Sequence, residues 1–196
     1  MKRRVVITGL GTVNAIGNNV NETWNSVLAS RNGIGRITLF DSSHQKEYLV
    51  GEVKDFDPLL YLEPKEARRL DRTMIFGLVA SLEAYHDSHL ADAQIDRDRF
   101  GTFVSSGIGG FSTIYEEMKK VFLLGPDRVS PFFVPNVITN MVSGQIAIKF
   151  QAKGPALAIV TACASATSAI GEAFRYIRDG YLELALAGGA DRKSVV

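Results

Sequence analysis

The chain has 196 residues and a mass of 21.4 kDa, with 46% hydrophobic and 22% charged side chains; these values exclude a disordered or collagen-like chain and allow one domain with a sizeable core. Its 22 basic and 21 acidic side chains leave a net charge of +1, which excludes a generally basic nucleic-acid binder and leaves any charged partner to a local patch. The single cysteine makes neither an internal disulfide nor a Cys₂ or Cys₄ zinc site, and it fits a reducing cytoplasm. The basic start, Met1 to Arg4, is followed only by Val5 to Ile7 as an apolar run, too short for a signal peptide. Two uncharged stretches, 129–148 and 154–171, are broken by Pro, Asn, Ser and Thr and read as buried elements, not membrane spans.

In chain order, Arg4–Thr8 reads as a strand ended by Gly9-Leu10-Gly11. Asn21–Ser30 reads as a helix, with Asn21 as N-cap and Trp24, Val27 and Leu28 as its stripe. Residues 31–58 are rich in turns, with a short strand near Tyr48–Val53. Pro64 opens a helix to about His89, with Leu70, Met74, Leu78 and Leu82 on one side. Phe100–Ser105 is a strand with Ser106-Gly107-Ile108-Gly109-Gly110 as its turn, followed by helices over Ser112–Leu123 and Val137–Phe150. Ala156–Ala162 is a continuous apolar strand, Ala164–Asp179 a helix closed by Gly180, and Leu182–Ala187 another apolar strand. Strands that are apolar on both faces, alternating with helices, predict an α/β domain on a mostly parallel sheet covered by helices on both sides. No linker, repeat or low-complexity tract divides the chain, so residues 1–196 are read as one domain. Its last strand has no helix after it to cover the sheet, and the domain is expected to be incomplete at its C-terminal end.

Gly9-x-Gly11 follows the first strand, but the third position of a dinucleotide fingerprint falls on Asn14, and no acidic residue ends a second strand about 20 residues on. These glycines therefore read as tight turns, and no cofactor is expected. Cys163 is more informative. It stands where Ala156–Ala162 turns into the following helix, facing the positive end of the helix dipole, which favours thiolate and an oxyanion. Position alone leaves a buried, inert cysteine as the competing reading.

Thr161-Ala162-Cys163-Ala164-Ser165-Ala166-Thr167, with Gly154-Pro155 before it and Gly188-Gly189-Ala190-Asp191 after it, resembles the active-site region of the β-ketoacyl-acyl carrier protein synthases, condensing enzymes of the thiolase superfamily. The resemblance extends through Val5–Gly11, Gly33-Ile34, Phe40-Asp41, Leu70-Asp71-Arg72, Ser106–Gly110 and Ser130–Asn136, in that order, and its details are most like the type II enzymes of bacterial fatty-acid synthesis. It implies a thiolase-like fold in its N-terminal half, with Cys163 as the nucleophile that takes the acyl chain as a thioester. Malonyl carrier protein then loses CO₂ and attacks that thioester. The resemblance also implies that the backbone N–H of Cys163 is one oxyanion donor, and that Ile108 and Phe133 line the acyl tunnel, the latter across a homodimer. Lys65, Arg68 and Arg69 would receive the acidic acyl carrier protein, and with Arg72 they are spaced to share one helical face. A solvated basic face is the plain alternative; Arg128 is a further candidate for the patch. Family members run to about twice this length and carry two catalytic histidines in a second half. His44, His86 and His89 match neither motif, so the chain is read as an N-terminal fragment unable to complete condensation. A non-catalytic carrier-binding or dimerisation module and a polyketide ketosynthase are the alternatives. No metal, nucleic acid or membrane is expected, and the setting is cytoplasmic.

Overall fold

The computed structural model describes residues 3–41, 43–44 and 49–191. The expected strand residue Tyr48 and the tail 192–196 lie outside these. The elements are α1 (Val20–Leu28), β1 (Ile34–Arg36), β2 (Leu49–Gly51), α2 (Pro64–Ala67), α3 (Arg72–Asp87), β3 (Phe100–Ser105), α4 (Phe111–Leu124), α5 (Phe133–Val137), α6 (Met141–Phe150), α7 (Ser165–Arg178) and β4 (Leu184–Gly189), joined by short 3₁₀ turns.

β3 is buried over its whole length and organises the core. It pairs in parallel with β4, from Phe100 opposite Leu184 to Ser105 opposite Gly189. Strand side chains alternate between faces, and the core divides accordingly. Phe100 and Val104, with Leu186 of β4, pack against Met74, Leu78 and Val79 of α3 and Val142 and Ile146 of α6. Phe103 points the other way, onto Ala169 and Ala173 of α7 and onto Leu182. Helices therefore cover both faces of a parallel pair, as the apolar runs predict. Thr102 would be a polar misfit on the α6 side, but its hydroxyl lies 3.0 Å from that of Ser143, and Ser143 Oγ donates to the Thr102 carbonyl at 2.8 Å.

Several elements differ from the sequence expectation. The segment through Arg4–Thr8 forms no strand: Val6 and Ile7 are exposed, and the chain from Leu10 to Val20 is fastened to α3 instead. There the Leu10 N–H donates to Asp87, and the Thr12 and Val20 N–H groups donate to Glu83. Gly9-x-Gly11 is the contact that permits this. A Cβ on Gly11 would stand 1.9 Å from the Ala80 carbonyl oxygen and one on Gly9 2.1 Å from that of Ala84, so these glycines serve close packing on a helix and not tight turns. Helix α1 starts earlier than expected, capped by Asn19, whose side chain accepts the Glu22 N–H. Trp24, Val27 and Leu28 are exposed, so that stripe does not face the core.

The long helix expected from Pro64 is two helices. Asp71 sits in extended backbone and accepts the Thr73 N–H at 2.8 Å, which starts α3 afresh. Lys65, Arg68, Arg69 and Arg72 therefore do not share one continuous helical face, and Arg72 stacks over Phe76 and Phe56. The expected helix from Val137 begins only at Met141, because Val137 ends α5. The expected strand Ala156–Ala162 touches the ladder at one point, Ala156 opposite Thr102. Beyond it the Ile159 N–H donates to the Ser105 hydroxyl at 2.8 Å, so a side chain replaces the strand partner. The short strand near Tyr48–Val53 is β2, antiparallel to β1, and β4 lies two residues later than expected.

Candidate active site

The Leu157 N–H donates to the Thr102 carbonyl of β3 at 2.9 Å, and residues 158–160 then leave the strand pair and deliver the chain to a turn at the N-terminus of α7. Thr161 has φ −126° and ψ 44°, Ala162 has φ +51°, and Ala162–Ala164 form a 3₁₀ turn from which α7 continues. Cys163 is the middle residue of that turn and is exposed. Alanine seldom adopts a left-handed conformation, because its Cβ crowds the following carbonyl. The turn is therefore held from outside itself. Ser165, buried beneath it, accepts the Thr161 N–H at 2.9 Å and donates to the Ala162 carbonyl at 2.6 Å. Ala164 at the N-cap has no side chain with which to cap α7, and Arg175 and Arg178 occupy its last turn. The helix dipole is thus directed at the cysteine turn, as expected from the sequence.

The Ser106–Gly110 turn closes one side of this site. A Cβ on Gly107 would lie 3.3 Å from the Ala162 carbonyl oxygen and 3.1 Å from the Asp191 carboxylate, so a larger residue would push on the cysteine turn. Gly109 has φ +82°, and a Cβ there would stand 2.0 Å from the Val137 carbonyl oxygen. Its N–H donates to Ser106 Oγ at 2.9 Å. Ile108 lies between these two contacts, half-exposed. The turn therefore links the Cys163 segment to α5, which begins at Phe133. Phe133 is half-buried, its N–H donating to the Ser130 carbonyl at 2.9 Å.

Two carboxylates fix this neighbourhood, and the sequence reading assigned a role to neither. Asp71, besides capping α3, accepts the Thr113 hydroxyl at 2.7 Å and the Thr113 N–H at 3.1 Å, which ties α3 to α4. Asn136 completes the knot, its amide donating to the Arg69 carbonyl and its carbonyl accepting the Asp71 N–H. Glu117 on α4 accepts the Ser130 N–H at 2.8 Å and pairs with Lys120 at 2.5 Å. These contacts hold its carboxyl below the usual glutamate range, the Lys120 hydrogen bond foremost and the Ser130 N–H next, against the opposing effect of burial. Asp71 lies in a motif that carries the resemblance; for Glu117 the only sequence signal is an acidic residue on an otherwise apolar helix stripe.

Lys65, Arg68 and Arg69 are exposed together at the break between α2 and α3. Lys65 and Arg69 line an open groove of about 390 Å³ with Leu70, Phe132, Pro135 and Gln145. Arg69 stacks over Phe132, 5.4 Å from the ring centre. Glu63 and Glu66 share the groove, although Glu66 is paired with Lys149 at 2.9 Å. Arg128 is exposed on the turn after α4 and does not line it. His86 ends α3, His89 follows it in left-handed backbone, and His44 lies between β1 and β2; none is part of the cysteine turn. Among the described residues no group of His, Cys, Asp and Glu is placed to hold a metal, and no helix is long and apolar enough to cross a membrane.

Residues 2–194 match the family described as the β-ketoacyl synthase N-terminal domain. The chain belongs to the β-ketoacyl synthases. Among curated relatives it is 43% identical over 190 residues to 3-oxoacyl-[acyl-carrier-protein] synthase 2 of Synechocystis sp., an alignment covering 97% of this chain and 46% of that protein. It is likewise 43% identical over 189 residues to the Staphylococcus aureus protein of the same name, covering 96% and 46%. The chain thus spans about half the length of the curated relatives it matches. Among solved structures, a type II polyketide ketosynthase in complex with its acyl carrier protein and bound to a hexaketide superposes with a TM-score of 0.84 at 25% identity, over 99% of this chain and 52% of that one. The fold is therefore the N-terminal half of a thiolase-like ketosynthase, as the resemblance implies.

Proposed function

We propose that this β-ketoacyl synthase domain carries the acyl-accepting half of a 3-oxoacyl-[acyl-carrier-protein] synthase of fatty-acid biosynthesis, with Cys163 as its nucleophile. The observation that carries the reading is the exposed Cys163 on a turn aimed at by α7, within a family match over almost the whole chain. The Cys163 sulfur attacks the thioester carbonyl of an acyl carrier protein, and the negative oxygen of the tetrahedral intermediate is met by the Cys163 backbone N–H. The carrier's thiol leaves with a proton, and the acyl group stays on Cys163. In the condensation step malonyl carrier protein loses CO₂, its carbanion attacks the acyl-Cys163 carbonyl, and the thiolate departs as the carbon–carbon bond forms. A soft sulfur suits both entry and exit.

Ile108 and Phe133 are assigned to the acyl channel, a role supported by the Ser106–Gly110 turn that joins their segments to the cysteine turn. Lys65, Arg68 and Arg69 are assigned to carrier docking; their support is their shared exposure beside an aromatic-lined groove and the carrier bound to the related polyketide ketosynthase. Homodimerisation and a cytoplasmic setting belong to the same proposal. A fatty-acid role is favoured over a polyketide one by the 43% identity to 3-oxoacyl synthases. The deciding experiment incubates the chain with acyl carrier protein thioester and weighs the product: an acyl adduct on Cys163, absent from Cys163→Ala, is expected. An unmodified cysteine under conditions that acylate a related full-length synthase would refute the reading.

A further inference from the structure

We propose that Ser165 is a positioning residue for the nucleophile, holding Ala162 in its left-handed conformation and so fixing the backbone on which Cys163 stands. The inference rests on the reading of Cys163 as nucleophile. Thr161 through Ala164 are all exposed, while Ser165 directly beneath them is only 3% exposed. A serine at the N-cap turns its hydroxyl onto the N–H groups of the helix, but the N-cap of α7 is Ala164 and Ser165 is the residue after it. Ser165 instead reaches backwards: it accepts the Thr161 N–H and donates to the Ala162 carbonyl, so both capacities of one buried hydroxyl go to the turn. The two bonds bracket Ala162, the one left-handed residue of the Thr161–Ala164 turn, at φ +51°. Neither Ala162 nor Ala164 has a polar side chain of its own to hold that shape. A second tie, Thr161 Oγ1 to Ser168 Oγ at 2.9 Å, lies at the surface, where water competes with it, and it does not touch Ala162. Gly107 supplies the space on the other side, and Ser165 supplies the hold.

The test is the rate at which iodoacetamide alkylates Cys163 in the 196-residue chain, with circular dichroism recorded for every variant. Ser165→Ala should slow alkylation about tenfold, as the loss of two hydrogen bonds that maintain the reactive turn would. Ser168→Ala should change it by less than about twofold, because only an exposed bond is lost. Adding Ala162→Gly to Ser165→Ala should recover most of the lost rate, since glycine adopts the left-handed conformation without a hydroxyl to hold it. A purely structural role for Ser165 gives no reason for that rescue. An unchanged rate in Ser165→Ala, or a double variant no faster than the single one, overturns the inference. If Ser165→Ala alone loses its fold, the double variant decides: refolded and reactive supports it, unfolded overturns it. Comparison of the wild-type rate with that of a cysteinyl peptide judges the nucleophile reading separately, while the ratios among variants judge Ser165.

Discussion

Glu117 is a buried carboxylate on an otherwise amphipathic helix, and its two partners make its contribution depend on pH. Its carboxyl titrates below the ordinary value of 4.5 in the folded chain, first because Lys120 donates to it and then because the Ser130 N–H does. The unfolded chain takes up the proton more readily, so the stabilisation is complete above about pH 4.5 and declines as pH falls through the lower folded value. Urea unfolding at pH 7 and at pH 3 should show a loss of stability in the wild type that is smaller in Glu117→Gln; parallel losses would deny Glu117 this role. Two glycines give a contrasting pair. Gly11→Ala should destabilise by about 1–3 kcal/mol or more, because its Cβ must displace the Ala80 carbonyl and with it the packing of the N-terminal segment on α3. Gly171, exposed inside α7, has nothing within 4 Å of an added Cβ. Gly171→Ala should stabilise by roughly 0.5–1 kcal/mol through helix propensity. Opposite shifts in the urea midpoint are the expected result.

Between elements, Asp71 ties α3, α4 and α5 together beside the groove lined by Lys65 and Arg69. The Asp71 carboxylate caps α3 and binds the first turn of α4 through Thr113, and the Asp71 backbone N–H donates to the Asn136 side chain of α5. Asp71→Ala leaves two N–H groups and a hydroxyl without their partner at a 4%-exposed site. The expected cost is about 2–4 kcal/mol, measured by chemical denaturation. Asp71→Asn keeps a capping oxygen and should lose less. A loss for Asp71→Ala no greater than that of an exposed cap, about 1 kcal/mol, would show that the link to α4 carries nothing.

At the scale of the whole chain, charge and missing chemistry make separate predictions. Replacing both Arg68 and Arg69 with Glu should weaken binding of an acyl carrier protein, and added salt should weaken binding by the wild type, since exposed charges are screened over about 10 Å at 0.1 M. An affinity constant through both changes would mean that the groove is merely solvated. Condensation needs a group to stabilise the enolate oxygen left by decarboxylation. His86 lies in the last turn of α3, His89 follows that helix, His44 lies between β1 and β2, and no metal-holding cluster exists among the described residues. The 196-residue chain alone should therefore yield acyl-Cys163 and no β-ketoacyl product above a Cys163→Ala control. Such a product would mean that groups within this chain suffice.

What the sequence determined by itself is whatever a short window decides. β3 was legible because six buried residues bounded by turns have few other readings, and α4 and α7 because helical periodicity and Gly180 mark their ends. The place of Cys163 in the turn before α7 was legible from the apolar run and the helix that flank it. Contacts across tens of residues decided the rest. The break before α3 depends on Asp71 meeting Thr113 and Asn136, and the role of Gly9 and Gly11 depends on a helix some seventy residues away. The run after Ala156 is as apolar as a strand, but it becomes one only where a neighbouring backbone offers a ladder, and from Ile159 the neighbour offers the Ser105 hydroxyl instead. Ser165 stood in plain view within the cysteine motif. Its task emerged only with the turn itself, because hydrogen-bond direction is a property of tertiary geometry that residue type leaves open.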